Sequence, residues 1–419
     1  MMTRNTLFIN VFYLLSVAVS PSLMAQNNTS SPYSSLGIGD IKHNGIGAIQ
    51  GMGGTGIALS PRTYYNYTNP AGNNALPAKI SLTDIGLFYK QTSGSDTETT
   101  QKNQDFNLNY FSLIFSPKPN YTLSFGLRPY SSIGYEIDIL SGIEGSNEEY
   151  QSRYSGQGGL NMVFWSNALQ LGERLSLGAT MSFMWGQITT QEQLFLGTSS
   201  SNIVTSDYTY NVVSLKADLG IQYAIPLGEK NELRLGAVVE QPFGSRGVYS
   251  ELIFSARQGG LALDPEFEEI PSLRLPLGWG AGVGLKLDNT WNIGLDVSGQ
   301  NWSEAILWDG TDELSNSFRV SAGVEYRKQP KVYGKKPPPV LRAGLSYTDS
   351  YLEIRQIPIE EYSFTAGIGI PTRGAGSINL SYEFQLRGTT EKGLIEEHSH
   401  VISLSATLAD LWFRKRKID

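Results

Sequence analysis

The strongest constraint on this chain is an alternation of apolar and polar residues in many segments beyond about residue 80. In one segment the apolar positions are Leu175, Leu177, Ala179, Met181, Phe183 and Trp185. A period of two is typical of a β-strand with one apolar and one wet face. Several runs exceed the ~5–6 residues usual in soluble strands, and a tilted strand needs ~9–11 residues to cross a bilayer. The pattern therefore predicts membrane-spanning strands.

About fourteen such runs are present. They lie near residues 80–91, 106–116, 121–139, 150–168, 174–191, 211–225, 232–255, 271–288, 290–302, 316–327, 340–352, 361–370, 376–387 and 399–413. Short connections alternate with longer polar ones, which is the layout of a closed barrel with short periplasmic turns. We therefore predict an all-β fold, a transmembrane antiparallel β-barrel of about 14 strands. A soluble sandwich or propeller would instead bury both sheet faces or repeat a blade motif, and the sequence shows no such repeat.

Composition removes several other classes of protein. Hydrophobic residues make up 40% of the chain, and the sequence lacks the several ~20-residue apolar runs of a polytopic helical membrane protein. The net charge of -7 gives no reason to expect a nucleic-acid partner. The absence of Cys excludes disulfide scaffolds and thiol nucleophiles.

The three histidines, His43, His398 and His400, leave little room for acid–base catalysis. His398 and His400 would share one face of a strand, an arrangement that a metal site can use. No third ligand is evident, so we interpret them as ordinary loop and interface residues. The sequence predicts no enzyme activity, no metal site and no cofactor.

The N-terminus has the features of an export signal. Arg4 precedes an apolar run from Leu7 to Val19, and small residues lead to a cleavage point after Ala25. We predict a signal peptide over residues 1–25, with an N-terminal anchor helix as the alternative. No later segment would stop transfer across the inner membrane. The predicted location is the bacterial outer membrane, with outer-membrane lipid as a partner.

Residues 26–79 lack the alternation and are rich in Gly, Asn and Ser. Their apolar residues are too many for a well-solvated tail, so we predict a hatch, or plug, inside the barrel rather than a disordered tail. Gly51, Gly53 and Gly56 match the spacing of a dinucleotide-binding loop. The flanking strand, helix and acidic residue that such a loop requires are missing.

This N-terminal arrangement resembles the FadL/TodX outer membrane transport family. The matching residues are Gly51, Gly53, Gly54 and Gly56 within residues 51–58, the turn Asn69-Pro70-Ala71, and a first strand from Ile80. The resemblance implies a hatch in a fourteen-stranded barrel and passive uptake of small hydrophobic molecules, such as fatty acids. It also implies a lateral opening at an inward kink of the third strand.

Two residues of the predicted third strand fit such an opening. Pro129 cannot donate to a strand ladder and is excluded from central strands unless a bulge or gap exists, and Gly134 follows closely. We predict the lateral opening at Pro129 and Gly134. Alternatively, the strand ends near Leu127 and Pro129 lies in an outer loop.

The predicted inner face of the barrel is more charged than a fatty-acid conduit requires. Its charged residues are Arg128, Lys216, Asp218, Glu240, Arg274, Lys286, Asp296, Arg319, Glu325, Arg342, Glu383 and Arg387. We interpret them as wall charges that pair with each other and with the hatch. The predicted barrel covers residues 80–413, with a basic, Pro-rich periplasmic connection at 328–339 and a basic tail at 414–419.

Two functions therefore remain open. One is passive uptake of a small hydrophobic ligand. The other is a non-transporting, partner-binding barrel, an accessory subunit of an outer-membrane protein export or assembly complex. The plug and Pro129 favour the first, whereas the charged lumen and the basic segments favour the second.

Overall fold

The computed structural model describes residues 30–97, 99–142, 149–195, 203–255, 266–270, 273–308, 314–328, 337–372 and 376–412. The predicted signal peptide at 1–25, the basic tail at 414–419 and most of the connection at 328–339 lie outside these residues. Within the described part of the chain, no helix is long and apolar enough to span a membrane.

Fourteen barrel strands follow residue 79, two of them in two pieces. The strands are β1 Ile80–Ser95, β2 Thr100–Lys118, β3a Tyr121–Pro129, β3b Ser131–Gly142, β4 Glu149–Leu171, β5 Leu175–Phe195, β6 Ile203–Pro226, β7 Glu232–Ser255, β8a Glu266–Ile270, β8b Gly278–Leu287, β9 Trp291–Gln300, β10 Ser317–Arg327, β11 Val340–Ile354, β12 Ile357–Pro371, β13 Ser377–Arg387 and β14 Glu396–Leu411. Each predicted run overlaps one of these strands, so the prediction of about fourteen strands is confirmed.

The sheet closes on itself. Neighbouring strands pair antiparallel around the wall, and β14 pairs antiparallel with β1 from Leu411 opposite Ile80 to Glu396 opposite Ser95. Closure gives the backbone of the wall hydrogen-bond partners from strand to strand, which a sheet in lipid requires.

The outer face of the wall is apolar and exposed. Leu219 on β6 is 62% exposed, whereas Lys216 on the opposite face is 1% exposed. Other large apolar side chains of the wall are 43% to 54% exposed, namely Met181, Phe183, Val239, Val283, Leu295, Leu345, Phe364, Leu380, Leu404 and Leu408. A row of large apolar side chains around a closed barrel is the surface that lipid tails cover.

The two ends of the barrel differ. The connections at 119–120, 172–174, 227–231, 288–290 and 372–376 are short, which marks the periplasmic end. The sequence predicts long connections at the outer end, but one of them is short. Between β11 and β12, Arg355 and Gln356 form the connection, with φ of 53° and 63°. Two successive positive φ values define the turn that fits the twist of a hairpin.

The prediction of one continuous strand over 271–288 is wrong in its first part. Pro276 has no N–H for a ladder, and residues 273–277 leave the strand pairing between β8a and β8b. Leu273 and Leu275 are buried instead of facing lipid. Arg274, predicted to face the lumen, is exposed and pairs only through a backbone bridge to Ile306.

The wall is uneven in height. β4 to β7 have 21 to 24 residues each, whereas β9 has 10 and β10 has 11. Since ~9–11 tilted residues cross the bilayer, the long strands continue well beyond the membrane at the outer end.

Residues 30–79 form short elements that contact the inner face of the wall. The segment contains a two-residue strand, Asp40–Ile41, and three 3-10 helices, Pro32–Ser35, Gly47–Met52 and Pro70–Ala75. The first helix contacts β3b, the second contacts β10 to β14, and the third contacts β3a to β6. We call residues 30–79 the hatch segment.

Candidate functional site: the lumen and the break in the wall

The Asn69-Pro70-Ala71 turn is anchored by Asn69, which is fully buried. Its side-chain oxygen accepts the Ala71 N–H (3.0 Å) and so caps the third helix, with Pro70 at the position where a helix tolerates it. Its side-chain nitrogen donates to the carbonyl oxygens of Ile57 (2.8 Å), Ile221 (3.3 Å) and Ala237 (3.3 Å). One residue therefore ties the hatch segment to itself, to β6 and to β7.

Glycines in the wall make this close approach possible. A Cβ on Gly178 would lie 2.3 Å from the Ala71 nitrogen, and one on Gly220 would lie 2.0 Å from the Asn69 side-chain oxygen. No side chain fits at such distances. No pattern in the sequence distinguishes these two wall glycines from the others.

The glycine-rich stretch lies against the opposite side of the wall. Gly53 ends the second helix with φ of 65°, and a Cβ there would lie 2.7 Å from the Leu345 carbonyl oxygen. A Cβ on Gly51 would lie 3.0 Å from the Gly367 Cα. Gly54 also has a positive φ, of 75°. Gly53 therefore needs glycine for both backbone conformation and space, Gly54 for its backbone conformation, and Gly51 lies in tight contact with the wall.

Two polar residues outside the predicted motif positions hold the glycine-rich stretch: Asn66 links it to the Asn69 turn, and Asp296 links it to the wall. Asn66, 1% exposed, donates to the Gly56 carbonyl oxygen (2.7 Å), while its oxygen accepts the Thr68 N–H (2.9 Å). Asp296 on β9 accepts the N–H groups of Gly56 (2.6 Å) and Ile57 (2.8 Å). The alternation placed Asp296 inside the barrel, but nothing in the sequence indicated its partner.

Several of the predicted lumen charges pair within the wall and with the hatch segment. Glu325 and Arg342 form a buried ion pair (2.9 Å), and the Arg342 guanidinium lies 5.1 Å from the centre of the Tyr64 ring. Arg387 pairs with Asp40 (2.7 Å). Charge-assisted bonds of this kind are stronger than neutral ones.

A second charged group surrounds Asn44. Lys216 pairs with Asp218 (3.0 Å) and Glu240 (2.6 Å). The Asn44 side chain donates to Glu240 (2.7 Å) and accepts from Arg128. The hatch segment is therefore bonded to charged groups on β3a and β7 as well as on β11 and β13.

Two small cavities, of ≈ 190 and ≈ 110 Å³ and lined by both polar and apolar side chains, lie beside Lys42 and His43. Burial lowers the pKa of Lys42 to about 8, against the opposing effect of Asp40. Burial, with Arg319 and Arg387 nearby, holds the pKa of His43 well below its usual value. His43 lines both cavities.

This lowered pKa gives a pH-dependent prediction. Unfolded Lys42 has a pKa of ~10.4, so the unfolded chain binds more protons than the folded chain between pH 8 and ~10.4, and stability rises with pH there. We expect Lys42→Met to raise the unfolding midpoint of the detergent-solubilised protein at pH 7, with a gain that shrinks as pH rises to 10. Lys118→Met, at an exposed turn, is the control. An equal gain at both pH values would contradict the prediction.

An apolar layer closes the lumen on the outer side. Trp302, fully buried, stacks on Tyr351 with ring centroids 4.3 Å apart. The layer also contains Tyr33, Ile38, Tyr130, Leu160, Met162, Met184, Leu273, Leu275 and Leu307. It combines the hatch segment, the inner wall and two connections that fold inward.

The wall is broken at the third strand. The β2–β3a ladder ends at Phe111 opposite Leu127. Pro129 ends β3a opposite Asn161 on β4, and β3b pairs with β4 but, among the described residues, not with β2. The strand does not stop near Leu127, since it resumes after Tyr130.

The hatch segment binds the freed edge of β3b near Gly134. The Ser31 N–H donates to the Gly134 carbonyl oxygen (2.9 Å), and the Gly134 N–H donates to the Ser34 hydroxyl (3.0 Å). Below it, Asp40 and Ile41 pair with Ser132 and Ser131. Pro129 and Gly134 thus lie at the break in the wall, and a lateral opening at these two residues stays a prediction.

A cavity of ≈ 880 Å³, which we call the lateral slot, lies in the break. Thr92 of β1 lines the slot and lies on the same strand face as the buried Leu82, the inner face. Gln157 of β4 also lines it and lies on the strand face opposite to the buried Leu160, the outer face. An inner face of β1 therefore looks onto an outer face of β4, so β3b and β4 lie inward of β1 and β2 here. Most of the lining is hydroxyl, carboxamide and carboxylate groups.

The histidine pair lies in β14. The His398 ring contacts Glu396 (2.5 Å) and the His400 ring contacts the Tyr382 hydroxyl (2.7 Å). Among the described residues, no group of three or more His, Cys, Asp or Glu side chains is placed to hold a metal ion.

The closed wall of fourteen strands, the exposed apolar belt and the break in the third strand define an outer-membrane β-barrel of the FadL/TodX type. The sequence matches the BamG family over residues 2–419, and the chain belongs to that family.

Solved structures of this fold are similar at low sequence identity. The Pseudomonas putida toluene transporter TodX has a TM-score of 0.60 at 17% identity, covering 89% of this chain and 100% of TodX. The Ralstonia pickettii toluene transporter TbuX has 0.60 at 13%, covering 87% and 98%. A Pseudomonas aeruginosa FadL homologue has 0.52 at 11%, covering 86% and 97%. No curated protein matches the sequence significantly.

Proposed function

We propose that this protein is a closed, partner-binding barrel, an accessory subunit of an outer-membrane protein export or assembly complex. The observation that carries the proposal is the lumen itself. In its described part, the two cavities are small, ≈ 190 and ≈ 110 Å³, and charged side chains such as Lys42, Arg319 and Arg387 stand among their apolar lining. Pockets for small apolar ligands are usually ≈ 300–1,000 Å³ and mostly apolar.

The attachment of the hatch segment supports the same proposal. Ion pairs, the Asn69 bonds and the Asp296 bonds fix the segment to opposite sides of the wall. Opening a route would expose several buried charges, and leaving one charge without its partner costs several kcal/mol. The family that matches, BamG, is also distinct by name from the hydrocarbon transporters that share the fold.

The second candidate is passive uptake of a small hydrophobic compound. The fold favours it, because TodX and TbuX are toluene transporters with the same architecture. The lateral slot weakens this candidate, since its lining of Thr92, Gln101, Asn103, Gln157 and Gln191 is polar.

Purification from native membranes in a mild detergent distinguishes the two candidates. We expect the full-length protein to elute with other polypeptides in fixed stoichiometry. We also expect no saturable binding of a dansyl-labelled fatty acid to the purified barrel. An isolated barrel that binds the labelled fatty acid saturably would contradict the proposal and support uptake.

A further inference from the structure

The outer part of the wall break contains a strand edge with unused backbone hydrogen-bonding groups. On β3b, successive even-numbered residues face the break, as shown by the bonds of Tyr130, Ser132 and Gly134 to the hatch segment. The period of two places the N–H and C=O groups of Glu136, Asp138 and Leu140 on the same edge. No backbone partner for them occurs among the described residues.

Across the slot, β2 is also incompletely paired. Residues 100–110 of β2 pair with β1 on one side, and the ladder to β3a begins only at Phe111. Two strand segments thus border a cavity of ≈ 880 Å³. An unpaired edge is a template for another extended chain, and the hatch residues Asp40 and Ile41 already use the first part of this edge in that way.

The side chains lining the slot favour a positively charged occupant. Four carboxylates line it, those of Asp96, Glu136, Asp138 and Glu397. Two guanidinium groups lie beside these carboxylates. Arg153 contacts Glu136 and Asp138, and Arg387 lies 4.0 Å from Glu397. Within the described residues no Lys or Arg lines the slot itself.

We propose that the lateral slot binds an extended, basic segment of a partner polypeptide, which adds as a strand to the free edge of β3b from Glu136 to Leu140. The proposal rests on the partner-binding function above and identifies the surface and the chemistry of the partner. Backbone bonds to the edge supply affinity, and basic side chains beside Glu136 and Asp138 supply specificity.

Leu140 offers a matched pair of variants. Its side chain is 72% exposed, and the period of two places its N–H on the same strand edge as those of Glu136 and Asp138, which line the slot. Leu140→Pro removes that N–H without removing a bond to β4, and an edge strand tolerates proline. Leu140→Ala keeps the N–H and is the control.

The probe is a fluorescein-labelled peptide of eight residues with alternating lysine and threonine, and anisotropy is measured with the full-length protein in detergent. We expect saturable binding that is weakened at least tenfold by Leu140→Pro and unchanged by Leu140→Ala. We also expect tenfold weaker binding for the same peptide N-methylated at alternate residues, because it lacks half of the donors. Equal binding of the two peptides, or no effect of Leu140→Pro, would overturn strand addition.

Co-purification separates this inference from the proposed function. If the Leu140→Pro barrel has the same unfolding midpoint as wild type but loses its partner subunits, the slot inference and the proposed function are both supported. If it keeps them in full stoichiometry, the slot inference fails and the proposed function remains. If the wild-type barrel purifies without partner subunits, the proposed function fails, whatever the peptide-binding measurement shows.

Discussion

Replacing Gly220 by alanine is expected to detach the Asn69 turn from the barrel wall. The new Cβ would lie 2.0 Å from the Asn69 side-chain oxygen and 3.0 Å from Pro70 Cδ. Overpacking of this kind typically costs about 1–3 kcal/mol. The readout is limited trypsin digestion of the folded barrel, because Arg62 and Lys79 in the hatch segment are exposed. Cleavage at these sites should become faster.

The matched control is Gly142→Ala, since a Cβ on Gly142 meets nothing within 4 Å. Its digestion pattern should equal that of wild type. A Gly220→Ala barrel as resistant as the Gly142→Ala barrel would show that the Asn69 turn is not held by this contact.

Removing one member of the buried ion pair on β10 and β11 should be the most damaging substitution in the lumen. The side chains of Glu325 and Arg342 are 2% and 3% exposed, 2.9 Å apart. Arg342→Met leaves the Glu325 carboxylate with one cation among the described residues, Arg327 at 3.3 Å, beside the neutral donors Asn292 and Tyr64. Removing one partner of a buried pair costs about 3–5 kcal/mol, so the denaturant midpoint of the refolded barrel should fall sharply.

Two comparisons make this measurement specific. The double variant Arg342→Met/Glu325→Gln should recover part of the lost stability, because no buried charge remains unpaired. Arg153→Met breaks an exposed pair with Asp138 and should change stability little. A loss for Arg342→Met no greater than that for Arg153→Met would contradict the assignment.

The barrel was predictable from sequence because lipid on one side and the lumen on the other impose a period of two. That period placed all fourteen strands and put Lys216, Asp296, Glu325 and Arg342 on the inner face. It failed at residues 273–277, where Pro276 interrupts the ladder and Leu273 turns inward. A local pattern cannot report that a strand has left the wall.

The contacts inside the barrel were not predictable in the same way. The Asn69-Pro70-Ala71 turn was identified by its residues, but its partners lie 152 and 168 positions away on β6 and β7. Asn66 and the wall glycine Gly220 gave no signal beyond their residue type. Pro129 did give a signal, because the missing N–H of proline has a direct consequence for a ladder.

The unequal strand lengths have a consequence for neighbours in the membrane plane. With 10 and 11 residues, β9 and β10 barely cross the hydrocarbon layer, so the rim there lies level with the lipid headgroups. β6 and β7, with 24 residues each, stand tens of ångströms higher at ~3.3 Å per residue. A large neighbour beside β9 and β10 can extend over the rim of the barrel. A neighbour beside β6 and β7 contacts the outer face of the tall strands instead. The side formed by β9 and β10 is therefore the side on which a neighbour in the membrane can cover the outer end of the barrel.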